Sequence, residues 1–290
     1  LKVEDVIDSG EPMYKVAKSM PDLKVPAVWF PHTLMGISTS DILENANNTN
    51  FGPFENQCFV GDQGHSKIMR MTLEKIDGVY QGACYAFREG FQSGILRLRW
   101  GLDQSMFVGM TSRGWSSTGK DNFGLQRLVW TGETPFEIKE IKSMPDGFEL
   151  NFTKEVDPKT LQDPESYVLN SFNYKYHHIY GSPVINLQKR VLKAVKVSDD
   201  KLSARIVLDS LILGEIYEVR LPGVKNTEGE NLLHDFGYYT LNRINKAPAT
   251  IDAEKYKVAE VKAVDHSMHA GMKMGSGDMA AAKPSVKRQN

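Results

Sequence analysis

Phe59-Val60-Gly61-Asp62 returns 48 residues later as Phe107-Val108-Gly109-Met110, and this pair decides the reading of the first half of the chain. A polar, glycine-containing loop follows each copy, residues 62–66 and 111–123. Each loop leads into a strand-like segment with a central arginine: Ile68-Met69-Arg70-Met71-Thr72-Leu73 and Leu125-Gln126-Arg127-Leu128-Val129-Trp130. A further apolar segment precedes each copy, residues 33–38 and 95–100. Short strands at a fixed period of this size fit propeller blades of four strands each. Residues 1–132 then hold about two to three blades, fewer than the four or more that close a ring. An uncovered blade face is therefore expected in this region, and Leu1 reads as a cut end. Arg70 and Arg127, at matching positions, are expected to make the same structural hydrogen bond in each blade.

Residues 133–245 read differently. Phe136-Glu137-Ile138-Lys139-Glu140-Ile141 alternates apolar and charged residues, Pro145-Asp146-Gly147 is a turn, and Phe148-Glu149-Leu150-Asn151-Phe152 alternates again. Further strands are expected at 191–197, 204–208, 216–221 and 238–241. About seven strands in such a length fit an immunoglobulin-like β-sandwich. The Cys–Trp–Cys pins of antibody domains are missing. The expected fold class is all-β: a partial propeller (1–132), a sandwich (133–245) and a disordered tail (246–290).

A length of 290 residues is about two domains, in line with this division. Lys plus Arg number 35 and Asp plus Glu 36. That balance argues against a nucleic-acid or anionic-membrane surface, which needs concentrated basic charge. No apolar run is long enough to span a membrane. Cys58 and Cys84 fall in one repeat unit; a bridge between them and two free buried thiols are both open. After Asn245 aromatic residues almost vanish, so disorder is expected there, with a short helix near 253–264 as an option. His266, Met268, His269, Met272 and Met274 offer thioether and imidazole ligands of the kind Cu(I) prefers, against the plainer reading of a solvated end.

A family resemblance rests on Phe51-Gly52-Pro53-Phe54, Val60-Gly61-Asp62-Gln63, Tyr80-Gln81-Gly82-Ala83, Phe87-Arg88-Glu89-Gly90-Phe91, the run 108–115 and Gly124-Leu125-Gln126-Arg127-Leu128-Val129-Trp130-Thr131-Gly132. With Tyr180-Gly181-Ser182-Pro183 and Tyr238-Tyr239-Thr240-Leu241-Asn242, it covers residues 25–245. These segments resemble the C-terminal blades and following immunoglobulin-like segment of bacterial proteins related to the glucose/sorbosone dehydrogenases. The resemblance implies pyrroloquinoline quinone and Ca²⁺ as cofactors and a sugar or polyol as substrate. It further implies a cytochrome-like electron acceptor and a periplasmic or secreted setting, where a disulfide would persist.

In a blade whose innermost strand runs first, the second-to-third-strand loop and the interblade connection emerge on one face. Residues 30–32, 62–66, 87–94 and 111–123 should then share one mouth. The resemblance implies cations for the quinone's carboxylates and a base for the sugar hydroxyl. The mouth offers His32 and His65 as catalytic candidates, Arg88, Arg113 and Trp115 for the cofactor, and Asp62 and Gln63 for a sugar hydroxyl or Ca²⁺. The plainer readings stand beside these. Asp62 and His65 are typical turn formers, His32 after Pro31 can cap a strand, and His177-His178 reads as surface or packing. The alternative to an oxidoreductase is a non-catalytic module that binds carbohydrate or a protein partner.

Overall fold

A computed structural model describes residues 9–46 and 51–259. After a short helix α1 (Met13–Ser19), four strands run as a meander: β1 (Thr39–Glu44), β2 (Cys58–Asp62), β3 (Lys67–Ile76) and β4 (Val79–Arg88). A second meander follows, β5 (Ile95–Trp100), β6 (Met106–Thr111) and β7 (Phe123–Leu128). Then come β8 (Ile138–Met144), β9 (Gly147–Phe152), helix α2 (Pro158–Gln162), β10 (Val168–Tyr174) and β11 (Val184–Lys189). The last strands are β12 (Leu192–Val197), β13 (Ser203–Leu208), β14 (Ile216–Arg220) and β15 (Phe236–Thr240). The described residues are all-β, with three antiparallel sheets, none closed.

The largest sheet has the order β1-β2-β3-β4-β15-β14-β10-β11. β4 pairs with β15 through Gly237↔Tyr85, Tyr238↔Cys84, Tyr239↔Ala83 and Thr240↔Gly82. This sheet therefore takes strands from both sides of residue 133, where the sequence pattern places a boundary. Alternation along its strands buries both faces. On one face, Ala83, Tyr85, Tyr217, Val219 and Tyr239 pack on Ile141, Phe148, Leu150, Val195 and Ile206 of the four-stranded sheet β12-β13-β9-β8. Farther along that face, Phe59, Ile68 and Phe87 pack on Ile95, Leu98, Met106 and Val108 of the three-stranded sheet β5-β6-β7. The opposite face carries Val60, Met69, Cys84, Phe172 and Tyr238. It is covered by the segment before β1, through Val28, Trp29, Phe30 and Met35.

The internal repeat maps onto β2 and β6, the middle strands of their meanders. Its glycine has a packing reason in the first copy. A Cβ on Gly61 would stand 2.6 Å from Ile95 Cγ2 and 3.0 Å from Ser40 Oγ, so only glycine lets β5 settle on β2. At Gly109 the nearest atoms to such a Cβ, on Arg97, are 3.7 and 3.8 Å away.

Several expectations need correction. The first strand is Thr39–Glu44, not the apolar segment 33–38, which forms a turn around Met35. Arg70 and Arg127 are not equivalent. Arg70 is fully buried between sheets, whereas Arg127 is half-exposed and pairs with Asp103. Cys58 and Cys84 both lie opposite Met71, on either side of β3, and both are free. Two strand spacings separate them by roughly 10 Å, beyond the reach of about 7 Å that a disulfide tolerates. The second half has strands β10 and β11 that periodicity did not reveal. Disorder from residue 246 does not describe 246–259: Val258 is buried, Lys257 bridges Ala194, and Val195 N–H donates to Tyr256 O. No helix forms over 253–259. His266, Met268, His269, Met272 and Met274 lie outside the described residues. Among the described residues no helix is long and apolar enough to cross a membrane.

Candidate functional site

The turn 62–66 at the end of β2 is the hub of the loop cluster. Asp62 is fully buried and both its oxygens are engaged: Oδ2 accepts from Ile37 N (2.8 Å) and Ser38 N (2.9 Å), and Oδ1 accepts from His65 N (2.6 Å). Gln63 N–H donates to Ser38 O at 2.8 Å. The same turn holds the loop between β6 and β7. Gln63 Nε2 donates to Trp115 O (2.9 Å) and Thr111 O (3.3 Å), Thr118 N to Gly64 O (2.9 Å) and Gly119 N to Ser66 Oγ (2.9 Å). Phe91 N donates to Ser66 O at 3.3 Å, and Asp121 N to Gln92 O at 2.9 Å. The segments around 31–38, 62–66, 90–94 and 111–121 thus meet through hydrogen bonds.

The expected site residues have different surroundings within this cluster. Asp62 and Gln63 tie loops together, which is the use that turn-forming residues commonly have. His65 is half-buried. Burial, reinforced by Lys67, holds its imidazole below the usual value, against the opposing pull of Asp62. Its Nδ1 is buried and makes no hydrogen bond within the protein. His32 meets Tyr180 edge-on, with ring centroids 5.5 Å apart. Gly181 lies against its ring, where a Cβ would come within 2.9 Å of Cε1. Arg113 and Trp115 are exposed, Trp115 to 65%.

Arg88 faces elsewhere. Its Nη1 donates to Phe87 O at 2.6 Å and its guanidinium stacks 4.5 Å from the Phe87 ring centre. It lines an open cleft of about 760 Å³ with Trp130, Phe136, Lys154, Glu230, Asn231 and others, to which Arg113 does not contribute. The cations proposed for a quinone's carboxylates therefore do not line one pocket. Among the described residues no group of three or more His, Cys, Asp or Glu side chains is placed to hold a metal ion. Among the described residues, Arg88 and Arg113 are not brought together around one ligand.

A buried charge cluster escaped the sequence reading. Arg70 Nη1 donates to Gln57 Oε1 (2.7 Å) and Nη2 to Ile138 O (2.9 Å). Its guanidinium lies between the rings of Phe54 and Tyr85, 4.2 and 4.8 Å from their centres. Glu137 stands 3.9 Å away and shares its other oxygen with His234 Nδ1 at 2.8 Å. The signal in the sequence was one arginine in the apolar run 68–73. Its partners lie 13, 67 and 68 residues away, beyond any local pattern. Two free thiols complete the picture: Cys84 is buried and Cys58 half-buried, and burial raises the pKa of both, which disfavours the thiolate.

No family model, curated protein or solved structure matches this chain.

Proposed function

We propose that the chain is the non-catalytic, carbohydrate-binding C-terminal portion of a longer periplasmic or secreted protein built like the sugar dehydrogenases. In this reading β1–β4 and β5–β7 are adjoining propeller blades. Sheet β12-β13-β9-β8 with β15, β14 and β10 is the immunoglobulin-like sandwich. The ligand meets the loop cluster through Arg113 and Trp115.

One observation carries the choice of binding over redox chemistry. The Asp62 carboxylate, the Gln63 amide nitrogen and the Ser66 hydroxyl hold loops together, while Trp115 is left exposed on a loop fastened at Thr118, Gly119 and its own carbonyl. An exposed indole on a fastened loop offers stacking area for a sugar ring, and a neighbouring guanidinium can donate to hydroxyls. The blade reading draws support from the outward face of β5-β6-β7. Phe123 and Leu125 are 76% and 70% exposed there, and Phe107 and Leu96 are also exposed. Gly61 receives Ile95 from the next sheet; Gly109, its counterpart in the repeat, is open to receive a side chain in the same way.

Titration calorimetry against neutral oligosaccharides tests the reading. Trp115→Ala and Arg113→Ala are expected to weaken binding by about 1–3 kcal/mol each while leaving the melting temperature nearly unchanged. Equal losses of stability and binding would make these residues packing elements. Sugar oxidation by this chain after loading with pyrroloquinoline quinone and Ca²⁺ would restore the redox reading.

A further inference from the structure

The cleft that holds Arg88 lies at the junction of all three sheets. Its walls are the connection 129–136 between β7 and β8, the end of β4, Lys154 after β9, and residues 230–233 before β15. Its volume, about 760 Å³, falls in the range of small-molecule sites. We propose that this cleft is a second binding site, specific for an uncharged oligosaccharide, and separate from the Trp115 loop.

Three features argue for a built site. First, its walls are held in place before any ligand arrives. Leu233 N donates to Phe136 O at 2.9 Å. Asn226 Oδ1 accepts from the backbone of Glu228 (3.0 Å) and Glu230 (2.8 Å), and Asn226 Nδ2 donates to Glu230 Oε2 at 2.6 Å. Arg88 is fixed by Phe87 on its carbonyl and its ring. Second, Trp130 is seated against backbone. Gly52 has φ +76, and a Cβ there would come within 2.9 Å of the indole. The indole so fixed lines the cleft together with Val129, Pro135 and Leu233, apolar surface for the C–H face of a sugar ring. Third, the charges balance. Arg88 and Lys154 face Glu133 and Glu230. Lys154 Nζ donates to Glu230 Oε2 at 2.8 Å, and that bond, with the Asn226 amide, holds the Glu230 carboxyl below its usual value and so ionised. Each charged wall group can take or give hydrogen bonds to hydroxyls, and two cations beside two carboxylates leave the lining without a net charge to draw an ionic ligand. An uncharged polyhydroxyl ligand with apolar faces suits all of these groups.

The test uses the full chain and amide-resolved NMR. The probes are cellotetraose, xylotetraose, maltotetraose and mannotetraose, with tetragalacturonate as the charged counterpart. At least one neutral tetrasaccharide at millimolar concentration is expected to shift amides of 129–136 and 230–233. Arg88→Gln and Asn231→Ala should each weaken that binding at least about tenfold. Trp115→Ala should leave it unchanged, so the two sites fail or stand independently. Shifts confined to 112–121, or none from any probe, would overturn the cleft proposal. So would tetragalacturonate binding tighter than every neutral probe, or neutral binding untouched by both cleft variants.

Discussion

Arg70 and Arg127 occupy the same place in a sequence repeat and differ in everything that sets a side chain's energetic weight. Arg70 is enclosed by Phe54, Tyr85, Gln57 and the carbonyl of Ile138, with Glu137 as counter-charge. Removing it takes the guanidinium away from buried Glu137, leaving His234 on the other carboxylate oxygen, and opens a cavity. Arg70→Ala is therefore expected to cost about 3–5 kcal/mol in urea unfolding. Arg127→Ala, which breaks a half-exposed pair with Asp103, should cost under about 1 kcal/mol. Similar losses at the two sites would dismiss this assignment. His65 sets a pH dependence. Its native pKa lies below its unfolded value, near 6.5, so the unfolded chain takes up the proton first as pH falls. The difference makes stability decline from about pH 6.5 down to the native pKa and stay flat above. Melting curves recorded between pH 7.5 and 5 should show a shallower decline for His65→Gln than for the parent.

At the scale of elements, the repeated glycines separate two kinds of sheet face. Gly61 sits where β5 crosses β2, so Gly61→Ala forces a methyl group into Ile95 and should destabilise by about 1–3 kcal/mol. Gly109→Ala meets ordinary contacts and adds strand preference, so no loss is expected; a comparable loss at both would mean that the outward face is covered. The same face offers a second check. Leu125→Glu removes apolar surface that is exposed among the described residues, and should leave the melting temperature of the chain within a degree or two while reducing self-association in sedimentation runs. In a longer polypeptide with a further sheet packed there, the same substitution should destabilise.

On the scale of the whole molecule, β4–β15 pairing removes the natural cut at residue 133. A fragment 134–245 loses Ala83 and Tyr85 from its core and exposes the β15 edge; it also loses the 246–259 strap across β12. The sequence pattern alone expects this fragment to fold by itself. The structure leads to the opposite outcome: a lower, broader melt or edge-to-edge association for 134–245, against a single cooperative transition for 1–259, measured by circular dichroism and size-exclusion chromatography. An unchanged sharp melt of 134–245 would show that the shared sheet is not an energetic unit.

Alternation along the chain carried the local elements. The strands around 138–152, 192–208 and 216–220 are legible from their alternation of apolar and polar residues, and those around 58–62, 68–73 and 106–111 from the internal repeat. The blade reading puts residues 30–32, 62–66, 87–94 and 111–123 at one mouth; in the structure the turn 62–66 is bonded to Ile37 and Ser38, to Phe91 and to the loop from Thr111 to Gly119, while Arg88 lines a separate cleft. β10 escaped because its alternation is blurred by Ser171 and Phe172, both buried, on opposite faces of a doubly covered sheet. Which strand pairs with which over a separation of some 150 residues, and whether a polar side chain is free or consumed, lay beyond the sequence. Asp62, Gln63 and Arg70 look alike there as polar residues in apolar strands and turns. Only the folded chain decides that Asp62 closes a turn, Gln63 holds a loop and Arg70 fills a core, because hydrogen-bond partners are set by three-dimensional proximity and local patterns carry no record of it.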